Sequence, residues 1–291
     1  MDKERLAIER LKTASELSLA YYKQPLMVTD SGGKDSSVVK ELALRAGIPF
    51  EVKHSHTTAD APETVYFVRD EFKRLEEKGI QCTVVKPQYK GQPVTMWSLI
   101  PQKKMPPTRL ARYCCAVLKE TTGRGRFIAT GVRWAESTRR KNTRGIFEKN
   151  SNRAENRITL NNDNDDARML FESCRLQGTR TVNPIIDWTD AEVWQFLNDA
   201  KVPVNPLYQC GFDRVGCVGC PMAGTVGRQV EFAKWPTYQQ AYIRAFDKML
   251  DNLPNHEMNN GCKTGEEVFH WWMEDGVLPG QMDFDAEDLE V

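Results

Sequence analysis

The segment MVTDSGGKDSSVV, residues 27–39, constrains the fold of this 291-residue chain more than any other stretch. Leu26–Thr29 has the composition of a short buried strand, and a helical pattern runs from Ser36 to Ala46. Between them, two glycines let the backbone turn tightly and direct successive N–H groups into one concavity. A strand that enters a helix through such a turn predicts an anion-binding loop. The alternative is an ordinary capped turn that binds no ligand.

Strand and helix patterns continue to alternate after this loop. Further strands are predicted at Pro49–His54, Ile80–Val85, Phe127–Val132 and Asn183–Ile186, and further helices at Pro62–Gly79, Leu110–Thr121 and Thr189–Asp199. This alternation predicts an α/β fold, a doubly wound parallel sheet. The polar stretch from 138 to 166 is predicted to be a long loop.

The C-terminal part has a different pattern. Residues 228–275 predict two helices whose aromatic side chains recur at helical spacing and are expected in a core: Trp235, Phe246, Phe269, Trp271 and Trp272. We therefore expect a nucleotide-binding domain at residues 1–225 and a helical C-terminal extension at residues 226–291.

Charge is unevenly distributed, although the formal net charge is zero. Twelve Lys or Arg and two acids lie between Lys103 and Arg144, whereas residues 281–291 form an acidic tail with five acids and no base. The basic stretch predicts an anionic partner, or a solvated basic face without one. No zinc-finger or helix-turn-helix signature supports sequence-specific DNA binding. The sequence contains no run of 18 apolar residues and no N-terminal signal core, so we expect a cytoplasmic protein with no membrane partner.

The cysteines are expected to bind a metal or cluster rather than to form disulfides. The eight are Cys82, Cys114, Cys115, Cys174, Cys210, Cys217, Cys220 and Cys262. The CxxC motif of Cys217 and Cys220 allows both sulfurs to reach one metal or cluster, and a tandem pair precedes it by about a hundred residues. Four cysteines also suit zinc, Cys174 or Cys210 can replace one of the four, and a structural set of reduced thiols is a further alternative.

Three segments of the sequence resemble those of known families. The loop resembles the SGGxDS loop of PP-loop ATP pyrophosphatases of the adenine nucleotide alpha-hydrolase type. That resemblance implies that the ATP pyrophosphate is held by Ser31, Gly32, Gly33, Lys34, Asp35 and Ser36. The segments HSHTTADAPET, residues 54–64, and GVRWAESTR, residues 131–139, resemble the phosphoadenosine phosphosulfate (PAPS) reductase family, the second through its G-x-R-x-x-E-S pattern and the arginines that follow it.

The second resemblance implies further nucleotide contacts from His56, Gly131, Arg133 and Arg139. A guanidinium matches phosphate or sulfate oxygens with a planar fork, so the two arginines are expected to clamp an anion. Arg140, Lys141 and Arg144 can extend the clamp. The alternatives are a solvated basic loop and, for His54 or His56, a packed loop histidine.

The cysteine pattern is similar to the CC…CxxC set of sulfonucleotide reductases that carry a 4Fe-4S cluster. This similarity implies that the ligands are Cys114, Cys115, Cys217 and Cys220. It also gives nearby bases, Arg112, Lys119 and Arg214, the role of offsetting the negative charge of thiolates and cluster.

An intact loop together with four cysteines is similar to the sulfurtransferase of DNA phosphorothioation and to tRNA-thiolating enzymes. This similarity implies that ATP adenylates a substrate oxygen, that pyrophosphate leaves, and that cluster-bound or persulfide sulfur displaces AMP. Lys34, Asp35 and Arg133 would be the catalytic residues, with Lys34 and Arg133 neutralising phosphoryl charge. Asp35 can instead bind Mg²⁺.

The implied partners are an adenine nucleotide, a nucleic-acid or small-molecule acceptor, a sulfur-donor protein and further copies of the chain. One alternative is a PAPS or adenylyl-sulfate reductase. Against it, no cysteine follows Gly276, and Cys262 lacks the Glu-Cys-Gly context of the reductase nucleophile. The other alternative is a nucleotide-binding module without turnover.

Overall fold

Seven strands form one sheet in the order β3-β2-β1-β6-β9-β7-β8 in the computed structural model, which describes residues 2–150, 158–161 and 178–274. The strands are β1 Leu26–Asp30, β2 Phe50–Ser55, β3 Gln81–Val85, β6 Phe127–Ala129, β7 Phe147–Asn150, β8 Ile158–Leu160 and β9 Thr179–Val182. The first five strands in this order run parallel, and Val28 pairs with Val52 on one side and with Ala129 on the other. β7 runs antiparallel to both β9 and β8. The predicted α/β class with a mostly parallel sheet is confirmed.

Helices cover this sheet and give the first of two compact units its apolar core. They are α1 Lys3–Leu17, α2 Lys34–Ala46, α3 Pro62–Glu76, α6 Thr138–Thr143 and α7 Asp190–Asp199. The unit comprises residues 1–56, 62–85 and 120–216. Its core joins the fully buried Val28 and Val52 of the sheet to Leu11 of α1 and Leu42 of α2. Burial of apolar surface from both layers therefore holds α2, and the loop before it, in place.

The second compact unit comprises residues 57–61, 86–119 and 217–291. It contains a short ribbon, β4 Gln88–Tyr89 and β5 Gln92–Pro93, and the helices α4 Met96–Lys103, α5 Tyr113–Leu118, α8 Gly224–Lys234, α9 Pro236–Leu250 and α10 Gly265–Met273. Its centre is aromatic: Trp272 lies 4.7 Å from Tyr242 and 5.5 Å from Phe246 between ring centroids. The helical C-terminal region is thus confirmed, while the domain boundary at residue 225 stays a prediction.

Three expectations about local structure were wrong. The stretch predicted to be a loop from residue 138 contains α6, β7 and β8. The two strands escaped prediction because three or four residues are too few to show a period. The last parallel strand is β9, and the segment predicted as that strand, from residue 183 to 186, forms turns after it. The C-terminal region has three described helices instead of two. Proline at position 236 separates the first two, since proline fits the first turn of a helix and not its interior.

Two features of the sequence fall outside the described residues, namely Cys174 and the acidic tail. Within the described part of the chain, no helix combines the length and apolar character needed to cross a bilayer.

Candidate functional site

Asp30, the last residue of β1, organises the predicted phosphate loop. Its Oδ1 accepts hydrogen bonds from the Gly32 N–H and the Ser36 hydroxyl, both at 2.9 Å. Its Oδ2 lies 2.9 Å from the Lys40 ammonium, which is itself 3.6 Å from Glu71. The carboxylate and the ammonium are almost fully buried, so the loop is built around a desolvated ion pair.

The loop itself needs small residues. Gly32 has φ +72°, and a Cβ there would lie 2.7 Å from the Thr64 side chain. Asn205 supports the loop from outside, because its amide donates to the Gly32 carbonyl at 3.1 Å. The hydroxyl of Tyr208 accepts from the Lys34 N–H at 2.9 Å. The N–H groups of the first helical turn, from Lys34 to Ser36, have no partner inside the helix, which is the arrangement that binds anions.

Arg133 follows β6 in the chain, contacts the first turn of α2 and is 1% exposed. Its guanidinium donates to Asp35 Oδ1 at 2.7 Å, to Asp190 Oδ1 at 2.6 Å and to the Trp188 carbonyl at 3.2 Å. The Lys34 ammonium lies 3.5 Å from the same Asp190 oxygen and 3.8 Å from Asp35. Two predicted cations and two carboxylates therefore form a charge-balanced cluster beside the loop.

The two carboxylates of this cluster titrate differently. Burial raises the pKa of Asp35, and neither Arg133 nor Lys34 fully offsets that effect. Burial is also the largest single influence on Asp190, but its bonds and charge interactions with Arg133 and Lys34 together outweigh burial and leave its pKa below the usual value. At neutral pH the cluster therefore presents carboxylates that compete with any phosphate for the same two cations.

The other residues considered for nucleotide contacts differ in their burial and in their hydrogen-bond partners. A Cβ on Gly131 would meet the Asp35 backbone at 2.8 Å, so glycine lets β6 approach the first turn of α2. His54 is buried and its Nδ1 donates to the Asp30 carbonyl at 2.9 Å, which is the packed alternative. His56 is half-buried after β2, and its N–H donates to the Val85 carbonyl. Arg139 is exposed in α6, so its role stays a prediction.

In the second unit, the CxxC motif forms a tight turn in which the Cys220 N–H donates to the Cys217 carbonyl. Gly219 within it has φ +73°, and a Cβ would lie 2.5 Å from Phe232. Its N–H donates to Glu231 at 2.6 Å. The Tyr242 hydroxyl donates to the Val218 carbonyl at 3.0 Å, so the turn is held from both sides. Cys217 is buried, with its sulfur 3.3 Å from the Thr57 hydroxyl.

The tandem pair lies on α5 in the same unit. A hydrogen bond between the two thiols lowers the pKa of Cys115, with help from Arg112, whose Nη2 lies 3.6 Å from the Cys115 sulfur. The same bond raises the pKa of Cys114, and burial and the nearby Cys217 and Cys220 raise it further. All four predicted ligands are therefore close enough to influence one another's charge.

Lys119 is the base that responds most to these sulfurs. It is exposed as a residue, yet Cys217, Asp60, Cys115 and Cys220 raise the pKa of its ammonium group. Lys119 is therefore placed to interact with these sulfurs, and its predicted role of offsetting thiolate and cluster charge stays a prediction. Arg214 and Cys210 belong to the first unit.

The four thiols are a donor set that can hold a cluster or a zinc ion, and the choice between the two stays a prediction. One of the four thiols is buried, and two bases lie near the set, which suits a thiolate-bound cluster or zinc ion with net negative charge. In every set of three of these sulfurs at least one pair is more than 4.8 Å apart. A tetrahedral zinc site, with Zn–S near 2.3 Å, brings its sulfurs to about 3.8 Å from one another.

Sequence reasoning missed Asp30, Asp190, Asn205 and Tyr208. Asp30 had a usable signal, since an acid at the end of a buried strand needs a partner. The others come from segments about 170 residues away along the chain, and no local pattern marks them.

Comparisons with known proteins agree with these motifs. The profile of the phosphoadenosine phosphosulfate reductase domain matches residues 25–223. The adenosine 5'-phosphosulfate reductase of Allochromatium vinosum is 41% identical over 58 residues, which is 20% of this chain and 23% of that protein. The same-named protein of Bacillus thuringiensis is 26% identical over 233 residues, covering 76% of this chain and 84% of that protein.

A solved structure also aligns along most of the chain. The U34-tRNA thiolase NcsA of Methanococcus maripaludis, solved with its [4Fe-4S] cluster, has a TM-score of 0.41 and 14% identity, and covers 97% of this chain and 84% of that one. This chain spans less than half the length of the first curated relatives that it matches.

Proposed function

The chain belongs to the phosphoadenosine phosphosulfate reductase domain family, and from this premise we propose that it is a PP-loop ATP pyrophosphatase that adenylates an acceptor for sulfur transfer. The observation that carries the proposal is the loop around Asp30. Asp30 accepts hydrogen bonds from the Gly32 N–H and the Ser36 hydroxyl, so these two donors are already bonded within the loop. The Asp35 and Ser36 N–H groups of the first α2 turn are left for a ligand, while the Lys34 N–H donates to Tyr208. Each bond of that kind to a charged phosphate contributes about 1.5–3 kcal/mol.

The proposed reaction is nucleophilic substitution at the α-phosphorus of ATP. An oxygen of the acceptor forms a bond to this phosphorus, the bond to the β-phosphate oxygen breaks, and pyrophosphate leaves with the electron pair. Lys34 and Arg133 would stabilise the negative charge that develops on the phosphoryl oxygens. Because both cations are paired with Asp35 and Asp190 in the structure, phosphate binding must loosen at least one of these pairs.

Mg²⁺ would enter as its complex with ATP, and Asp35 is the loop carboxylate suited to complete its coordination. In the second step, a sulfide-level sulfur nucleophile forms a bond to the activated carbon of the acceptor, the bond from that carbon to the adenylyl oxygen breaks, and AMP leaves with the electron pair.

A 4Fe-4S cluster, when bound to Cys114, Cys115, Cys217 and Cys220, would supply a site for sulfur or a rigid support for the cysteine segments. Residues of the chain would hold the cysteine segments in place and stabilise the thiolates. The Gly219 N–H bond to Glu231 and the Tyr242 bond to the Val218 carbonyl hold the CxxC turn in one conformation. Arg112 and Lys119 would stabilise the thiolates needed for ligation.

The second unit also carries a basic surface that would suit a nucleic-acid acceptor. From residue 86 to 119 the chain has seven Lys or Arg and no acid. Lys86, Lys104 and Arg109 are exposed, and none of them has a carboxylate partner among the described residues. A small-molecule acceptor is the alternative. The two are distinguished by incubating the protein with ATP, radiolabelled sulfide and cell extract. Label in the nucleic-acid fraction would indicate a nucleic-acid acceptor, and label in the low-molecular-weight fraction would indicate a small-molecule acceptor.

The proposed activity is tested first by binding and by product analysis. We expect the anaerobically purified chain to bind ATP–Mg²⁺ more tightly than PAPS in calorimetric titrations. With water as a slow acceptor, it should release AMP and pyrophosphate. Lys34→Met should weaken ATP binding, while Lys23→Met, which changes an exposed lysine before β1, should not.

Contrary results point to the alternatives. Preferential binding of PAPS would favour a sulfonucleotide reductase, and ADP with phosphate as products would contradict adenylation. Binding of ATP without turnover in the presence of acceptors would favour a nucleotide-binding module. Iron and acid-labile sulfide near four per chain would support the cluster, whereas one zinc per chain would contradict it.

A further inference from the structure

Tyr208 occupies a position at the phosphate loop that the sequence motifs do not explain. Its hydroxyl oxygen lies 2.9 Å from the Lys34 N–H, the first N–H group of the 13-residue helix α2. A Cβ on Gly33 would lie 3.3 Å from the same oxygen. The hydroxyl therefore lies directly over the loop, within contact distance of the backbone that is proposed to bind pyrophosphate.

The position of the ring is set by several contacts. Trp194 of α7 meets it edge to face, with ring centroids 5.1 Å apart and an interplanar angle of 90°. The Lys34 ammonium lies 5.8 Å from the ring centroid. The Tyr208 N–H donates to the carbonyl of Asn205, whose buried side chain in turn donates to the Gly32 carbonyl and the Thr64 hydroxyl. Tyr208 is thus held in place by the elements that support the loop.

The hydroxyl has one hydrogen-bonding function still to use. It accepts from the Lys34 N–H, and no acceptor among the described residues takes its own proton. Burial, together with Asp35 and Asp190, raises the pKa of this phenol to about 12. Tyr208 therefore remains a proton donor throughout the physiological pH range. A phosphate oxygen is the acceptor that best suits a donor at this place.

We propose that Tyr208 is a pyrophosphate-binding residue whose hydroxyl, positioned by the Lys34 N–H, donates a hydrogen bond to a non-bridging oxygen of the β- or γ-phosphate. This inference rests on the proposed function. It assigns Tyr208 a specificity role: ligands with a pyrophosphate group use the hydroxyl, and AMP, which lacks that group, does not.

The test measures the affinity of the full-length, anaerobically purified chain for three ligands: ATP–Mg²⁺, inorganic pyrophosphate and AMP. In Tyr208→Phe, we expect binding of ATP and pyrophosphate to weaken by roughly 10- to 100-fold, as for loss of one bond to a charged group, and AMP binding to change less than twofold. The matched control is Tyr66→Phe, at an exposed tyrosine on α3, which should bind all three like wild type.

A second measurement detects the Tyr208 contact in the wild-type chain and uses the folded variant as its reference. Pyrophosphate binding should change the ultraviolet tyrosine spectrum of the wild-type chain, and no such change should occur in Tyr208→Phe. Three results would overturn the inference: unchanged pyrophosphate affinity, tighter pyrophosphate binding because the hydroxyl blocks the loop, or an equal loss for AMP because the residue only supports the fold. A wild-type chain that binds neither ATP nor pyrophosphate would instead refute the proposed function together with this inference.

Discussion

Replacing Asp30 by Asn tests whether the buried ion pair holds the phosphate loop. The substitution preserves the shape of the side chain and removes its charge. The Lys40 ammonium, 1% exposed, would then have Glu71 at 3.6 Å as its nearest carboxylate, and Glu71 is shared with Arg74. Breaking one partner from a buried pair costs about 3–5 kcal/mol, because the remaining charge stays desolvated.

This loss is large enough to measure directly. For a unit of this size, 1 kcal/mol corresponds to about 2–4 °C in Tm, so we expect Asp30→Asn to lower Tm by about 6–20 °C. Urea unfolding followed by circular dichroism gives the free energy of unfolding. Asp70→Asn, at an exposed acid 3.9 Å from Lys73, is the control and should change stability by less than about 0.5 kcal/mol.

The pH dependence has a definite sign. Burial alone raises the pKa of Asp30, but Lys40, the Gly32 N–H and His54 outweigh it and hold the pKa below its usual value. The carboxylate therefore contributes its full stabilisation above the unfolded-state pKa of about 4 and loses it as the pH falls through the lower folded value. The stability difference between wild type and Asp30→Asn should narrow only below about pH 4.

A double variant separates charge from shape. Asp30→Asn with Lys40→Met removes the uncompensated cation, and it should be more stable than Asp30→Asn alone by at least about 1 kcal/mol. If Asp30→Asn is no less stable than the Asp70 control, or if the double variant recovers nothing, the ion pair does not support the loop in the way argued.

Two further predictions concern the two sites separately. Gly219→Ala combines positive-φ strain with a 2.5 Å approach of the new Cβ to Phe232, so it should lower the iron content and the Tm of the purified chain. The control is Gly224→Ala, where φ is +69° and the space around a Cβ is open, and its losses should be smaller. Equal losses in the two variants would mean that backbone strain alone matters. Asp190→Asn removes a carboxylate that competes with phosphate for Lys34 and Arg133, so it should tighten ATP binding about two- to fivefold at low salt. Asp199→Asn, at the other end of α7, is the control and should leave ATP binding unchanged. Weaker ATP binding in Asp190→Asn would instead make Asp190 a ligand of Mg²⁺.

Local sequence patterns were enough to predict most of the fold. The strand at Leu26–Asp30 and the helix that ends before Gly47 were predictable because a buried strand, two glycines and a helix stop follow one another within about twenty residues. The added strands β7 and β8 were missed because they have only four and three residues, and their place in the sheet comes from the pairing of β7 with β9 and of β8 with β7, not from their own pattern.

The same division applies to the sites. The sequence by itself was enough to predict which residues bind phosphate and which bind a cluster, since glycine spacing and CxxC spacing are local properties. Only the tertiary structure decided that Asp30 pairs with Lys40, that Arg133 joins Asp35 to Asp190, and that Tyr208 lies over the Lys34 N–H. These contacts join segments ten to about 170 residues apart, and burying charge requires a partner without specifying where in the chain that partner lies.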